Sequence, residues 1–292
     1  MRVTEGSASY GALVGLQSSA SKLADLQSQL SSGRQITKPS DDPSGTSTAL
    51  ALRAELKRND QYQTGASDAL GWLTTVDSAL SSTTTQLQTV RNLVLQGKNT
   101  GASDSTAYNA LAQQVDQIRT SVLSMANSAY VGRPVFGGTT AGATAFDSTG
   151  AYVGDTAAVS RTVGPNTTVQ INQIGTDVFG ANGSNLFDTL ATISNDLRTN
   201  PSALTGDLDS LDAAMKSVSA AQGQAGAIYN RIQNSQTVNS TNVIQLKSQL
   251  SDVQDIDLAD MAIKVSSADA NYQAALATTA KVRQISLLDF LK

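Results

Sequence analysis

The sequence predicts a mainly α protein: an elongated antiparallel helical bundle with long N- and C-terminal helices and a small β-rich domain inserted between its middle helices. Three observations predict it. Apolar residues recur at alternating steps of three and four near both ends, two heptad rows run through residues 73–94, and a period of two occurs only within 131–185. Side chains return to one face every 3.6 residues in a helix and every two in a strand, so each period selects a backbone.

At the C-terminal end Leu258, Met261, Val265, Ala268, Tyr272, Ala275, Thr279 and Val282 hold one side of a helix. Leu13, Leu16, Ala20, Leu23, Leu26 and Leu30 do nearly the same at the other end, with Gln27 where a strict heptad would continue. A lone amphipathic helix is marginal in water, so each stripe asks for a partner. That partner is the other terminus or a copy on a neighbouring molecule. Residues 1–43 and 251–292 are therefore read as paired terminal helices whose assembly seam comprises Leu13, Leu16, Leu23, Leu30, Leu258, Val265, Tyr272, Leu276 and Val282.

Pro39 and Pro43 bracket Ser40-Asp41-Asp42. Proline disfavours helix at the residue before it and suits the first helical position, so Pro43 opens a helix and Asp42 is its N-cap. Residues 31–43 become a joint. Capping accounts for Asp41 and Asp42 without a metal or a catalytic carboxylate pair. Beyond the joint, Leu73, Leu80, Leu87 and Val94 lie seven apart, with Val76, Thr83 and Val90 in a second row. The glycines of 97–104 predict a turn with Asp104 as the next cap, followed by a helix carrying Tyr108, Leu111, Val115, Ile118, Val122, Met125 and Ala129.

Residues 44–130 and 186–250 are read as the bundle. In its second half one stripe runs through Leu204, Leu208, Leu211, Met215, Val218, Ala225, Tyr229, Ile232, Val243, Leu246, Leu250 and Val253, interrupted by Gln222, Gln236 and Asn239. About 50 residues of helix extend roughly 75 Å. A compact globule of this chain length is only about 50 Å across, hence the elongated bundle. Between the halves, 131–185 forms the β-rich outer domain. Gly132-Arg133-Pro134 breaks the helical period, and Gly164-Pro165-Asn166 turns Val159–Val163 back on the alternating Thr167–Asn172. The chain leaves the bundle at Pro134 and returns near Leu186, so this domain is expected to project outward and be dispensable for the bundle core.

Composition excludes much chemistry. With no histidine and no cysteine among 292 residues, Ser-His-Asp and Cys-His catalysis, His or Cys metal sites and disulfides are all absent. Lys+Arg 20 against Asp+Glu 24 leaves no basic face for nucleic acid. No run approaches the ~18–20 apolar residues of a membrane span, and no cleaved secretory signal is readable at the N-terminus. Gly137-Gly138-Thr139-Thr140 lacks the lysine of a phosphate loop and reads as a turn. The three Asn-X-Ser/Thr matches at Asn166, Asn182 and Asn239 are expected by chance in a chain this rich in Ser, Thr and Asn. No cofactor, no metal and no catalytic residue is predicted.

Two motifs carry a resemblance. Residues 30–57, with Leu30-Ser31-Ser32-Gly33-Arg34 and Lys38-Pro39-Ser40-Asp41-Asp42-Pro43, resemble the N-terminal signature of the bacterial flagellin superfamily in its hook-associated form. Val253-Gln254-Asp255-Ile256-Asp257-Leu258-Ala259 with Tyr272-Gln273-Ala274-Ala275-Leu276 is similar to the family's C-terminal helix. The ending Ser286-Leu287-Leu288-Asp289-Phe290-Leu291 and the middle segments Phe136-Gly137-Gly138-Thr139, Tyr152-Val153-Gly154-Asp155 and Gly175–Phe179 favour the hook-associated branch. The resemblance implies a non-enzymatic structural adaptor that forms a ring at the hook–filament junction. Its implied partners are copies of itself, the preceding hook-associated junction protein, flagellin or the filament cap side, and a flagellar export chaperone. It also implies type III export to the extracellular flagellum without a cleaved signal. The rival readings are a filament-forming flagellin and, from another class, a soluble coiled-coil signalling or adhesion protein. A carbohydrate-active enzyme is weaker, because no paired acids sit in a cleft-forming loop.

Overall fold

The computed structural model describes residues 5–99 and 105–290, with side chains for 10–99 and 105–281. In chain order the elements are α1 (Glu5–Ser32), α2 (Pro43–Asn99), α3 (Ser105–Ala126), β1 (Ala129–Tyr130), β2 (Arg133–Pro134), β3 (Ser160–Gly164), β4 (Thr167–Gln170), α4 (Gly175–Phe179), α5 (Leu186–Thr199), α6 (Leu204–Gln254) and α7 (Leu258–Phe290). Helix dominates and the strands are short, as the periods predict. The chain forms two compact units, one of Met1–Arg58 with Val243–Lys292 and one of Asn59–Asn242. The divisions fall inside α2 and α6 rather than at Pro43 and residue 250, because both helices run on unbroken while the packing around them changes.

The 59–242 unit owns the hydrophobic core. Both heptad rows of α2 are buried, Leu73, Leu80, Leu87 and Val94 in one and Val76, Thr83 and Val90 in the other. Thr83 satisfies its hydroxyl by donating to Ala79 O at 2.8 Å, which lets a polar group sit in an apolar row. From α3 come Leu111, Val115, Ile118 and Val122, and α5 packs along α3. Ala129 leaves the α3 stripe: the helix ends at Ala126 and Ala129 begins β1. On α6, Leu204, Leu211, Val218, Ala225 and Ile232 are buried. Truncating one such leucine or isoleucine to alanine costs roughly 2–5 kcal/mol.

Gly97 is not a turn. It lies inside α2, where an added Cβ would stand 2.8 Å from Leu197 Cδ2, so glycine here permits close helix approach. Asp104, the expected cap, lies outside the described residues.

The segment 131–185 is mostly irregular, with β3 and β4 pairing antiparallel and β1 pairing β2. It does not stand apart from the helices, contrary to the outward, dispensable domain expected above. Phe146 and Phe179 meet Phe187 of α5, with Phe146 5.0 Å from the Phe187 ring centroid and 5.4 Å from that of Phe179, and Phe136 meets Phe179 at 5.2 Å. Asn127, just past α3, donates to Phe146 O and accepts from the Ala145 and Phe146 amides at 2.8–2.9 Å. Asn185 closes a capping box with Asp188 and also donates to Gly150 O at 2.9 Å. Val169 and Ile171 turn inward from β4 and its continuation, and Asn239 of α6 donates to Val163 O at 2.7 Å. Aromatic area outweighs what a short hairpin could bury by itself, so these residues complete the helical core.

One position contradicts its own backbone. The β1–β2 loop is Val131-Gly132, and both residues have positive φ, 49° and 76°. A β-branched side chain in that region is strained, and Val131 is 83% exposed, so packing does not compensate. Asn-Gly is the preferred pair for such a turn. Val131→Asn should therefore stabilise the protein by about 1 kcal/mol and raise the thermal midpoint by a few degrees in differential scanning calorimetry. A lowered midpoint would show that Val131 holds something the backbone geometry does not reveal.

Candidate functional site

The 1–58/243–292 unit has the opposite balance of burial. Of its described residues only Ala49, Met261 and Ala268 count among the buried hydrophobics. Conversely, among the described residues all of the exposed large apolar side chains except Val131, Val153 and Val238 belong to it, including Tyr10, Leu13, Val14, Leu258, Ile263 and Leu276. Large apolar side chains left in water are a feature of surfaces that other molecules cover.

The helices α1 and α7 pack along each other. The protected stripe on α7 is Met261, Val265, Ala268, Tyr272, Ala275 and Thr279; that on α1 includes Leu16, Ala20, Leu23, Leu26 and Leu30, each only half-buried. Leu16, Leu23, Leu30, Val265 and Tyr272 of the expected seam thus lie on the stripes by which the two helices meet. Leu13, Leu258 and Leu276 are 54%, 64% and 43% exposed and lie outside the protected part of those stripes. Val282 lies outside the described side chains. The three-four period identifies a face but not how much of it a partner helix covers.

The joint is tied across a long sequence separation. Gln35 N donates to Gln254 O at 2.7 Å, Ile256 N donates to Gly33 O at 3.2 Å, and Arg34 and Asp255 face each other as an antiparallel bridge. Arg53 of α2 donates to Gln254 Oε1 at 2.5 Å, and Gln254 is 4% exposed. Local sequence signals do not find this contact, because pairing of residues 33–35 with 254–256 leaves no periodic trace. Asp42 Oδ1 accepts from Gly45 N at 2.9 Å at the start of α2, where Pro43 is the first residue. Asp41 folds the loop before it: its Oδ2 accepts from Thr37 N, Thr37 Oγ1 and Lys38 N at 2.8–3.1 Å. Those donors, the Lys38 amide foremost and then the Thr37 hydroxyl, hold the Asp41 carboxyl below the usual aspartate range. Both carboxylates are thus engaged by their own backbone, and among the described residues no cluster of metal-binding side chains occurs.

The turn at Gly137-Gly138-Thr139 is likewise closed from within, by Asp155 Oδ1 accepting from Thr139 N at 2.8 Å.

Comparison with known proteins now places this arrangement. Residues 6–141 match the bacterial flagellin N-terminal helical region, and residues 208–291 match the bacterial flagellin C-terminal helical region. The chain belongs to the bacterial flagellin family. It is 33% identical over 174 residues to flagellar hook-associated protein 3 of Salmonella typhimurium, an alignment covering 59% of this chain and 54% of that protein, so it spans about half the length of that relative. It is 25% identical to the flagellin of Bacillus subtilis over 97% of both chains. A solved flagellar hook-associated protein of Vibrio parahaemolyticus shares the fold at a TM-score of 0.67 and 22% identity, over 74% of this chain and 100% of that one.

Because the folded Asp41 carboxyl binds its proton more weakly than in the unfolded chain, its contribution to the joint is complete above the ordinary aspartate range. It shrinks as the pH falls through that range and is gone below the folded value. Amide exchange at Thr37 and Lys38, corrected for intrinsic rate, should therefore accelerate on acidification, and Asp41→Asn should abolish that pH dependence. Unchanged protection in acid would remove Asp41 from the joint.

Proposed function

We propose that this chain is a structural adaptor of the bacterial flagellum, forming a ring of identical subunits at the hook–filament junction that couples the hook to the flagellin filament. One observation carries the reading: the 59–242 unit buries its own core while the paired terminal helices expose theirs. A subunit so divided folds one part alone and leaves the other for its neighbours. The hook-associated reading is preferred because the Salmonella protein is the more identical relative. The proline-bracketed Asp41-Asp42 joint supports it too.

The partners follow from that position: copies of the chain, the preceding hook-associated protein on one side and flagellin or the filament cap on the other. Export through the flagellar type III apparatus, with a chaperone shielding the terminal helices, belongs to the same proposal and places the protein outside the cell. No described helix is long and apolar enough to cross a membrane. A mechanical role also suits the chemistry, since the adaptor only has to present complementary surfaces to two stiffer structures and needs no catalytic group.

The second reading, a filament-forming flagellin, is favoured by the end-to-end alignment with the Bacillus protein. Deleting the gene separates the two. An adaptor's loss should leave hooks intact and release assembled-competent flagellin into the medium. Loss of a flagellin should leave hooks with that flagellin missing from the medium as well, and this result would overturn the adaptor reading.

A further inference from the structure

The joint also carries a surface that the fold does not use. A cleft of about 260 Å³ is lined by Arg34, Lys38 and Arg53 together with Ile36, Thr46 and Gln254. No carboxylate lines it. Of the nearby acids, Asp41 is engaged by the Thr37 and Lys38 donors, Asp42 by Gly45 N, Asp25 by Lys38 Nζ at 3.5 Å and Asp255, opposite Arg34 in the backbone bridge, by Ser251 Oγ. The Lys38–Asp25 pair is largely exposed and neutralises little. Arg53 meets only the neutral amide of Gln254, and Arg34 has no ion pair among the described residues. Thr46 Oγ1, on the wall of the cleft, is buried with no hydrogen-bond partner. Three cations and a spare hydroxyl suit carboxylate side chains, and the volume admits side chains rather than a folded domain.

The same unit supplies a matching segment. Residues 252–260 contain Asp252, Asp255, Asp257 and Asp260, all exposed, with no basic residue between Lys247 and Lys264. Lys264 pairs with Asp260 at 2.6 Å and Asp257 caps the start of α7 by accepting from Ala259 N at 2.8 Å. Asp252 and Asp255 have no ion pair among the described residues; Asp255 accepts from Ser251 Oγ only. Arg34 and Asp255 face each other in the backbone bridge, yet no ion pair joins their side chains within one copy.

We propose that the basic cleft at the joint receives aspartate side chains from the acidic segment 252–260 of a neighbouring copy of this chain, making a heterologous subunit contact. A basic patch meeting an acidic one on the next subunit is the arrangement that propagates around a ring when the rotation closes. The proposal rests on the junction-ring reading and assigns part of its contact.

Co-expression tests it without isolating any fragment. One allele carries Arg34→Glu with Lys38→Glu, the other Asp252→Lys with Asp255→Lys, and flagellin shed into the medium is measured beside electron-microscopic counts of attached filaments. Each allele alone should increase shed flagellin at least tenfold. The two together should recover much of the attachment, because each altered cleft then meets an altered segment of opposite charge. Normal attachment with either allele alone would overturn the proposal, as would shedding that the mixture does not relieve. Circular dichroism and secreted amount check folding, and Arg34→Gln with Lys38→Gln, which removes charge without reversing it, should shed to a lesser degree if the reversal allele is not exported. If the gene deletion itself leaves filaments attached, the ring reading has failed; if only the charge alleles do, this contact alone has failed.

Discussion

Everything in this chain turns on one constraint: an amphipathic helix must cover its apolar stripe, and the terminal helices have only each other with which to do it. Two helices in contact leave outer faces in water, and here those faces carry large apolar side chains among polar ones. Leu13, Leu258, Ile263 and Leu276 remain exposed. Fully burying a side chain of this kind gains about 1.5–3 kcal/mol. Covering a handful of them against another surface is therefore favourable. On the adaptor reading, these exposed side chains are what a neighbouring subunit covers.

The 59–242 unit stands in contrast. Its helices place complete heptad rows inside, and the segment 131–185 adds phenylalanines where helices alone would leave a gap. Gly150 shows how close that packing is: at φ +95° its position for a Cβ lies 2.5 Å from Phe187 Cβ, so the chain passes the ring only as glycine. The flagellin family models match residues 6–141 and 208–291, so each spans part of both units.

Helix existence and register were legible because period is a local property. Leu73, Val76, Leu80, Thr83, Leu87, Val90 and Val94 could be assigned to a buried face from spacing alone, and all are buried. Asp42 was legible for the same reason, since capping involves residues three apart. What spacing could not supply was long-range. Gln254, buried between Arg53 and the Gln35 amide, reads in sequence as one more polar residue beside a stripe. The integration of 131–185 into the core was missed because turns and alternation say where a segment bends, not what its phenylalanines touch. Gly97 was misread as punctuation because tertiary packing against Leu197 overrode its usual preference for turns.

The central claim is that the terminal unit is completed by neighbours while the 59–242 unit is complete alone. Hydrogen exchange on the purified monomer and on flagella carrying the protein measures this directly. In the monomer, amides of α1 and α7 should exchange far faster than those of α2 and α6 within 59–242, and in assembled flagella the terminal amides should become protected by several orders of magnitude. Equal, strong protection of both units in a verified monomer would contradict the account.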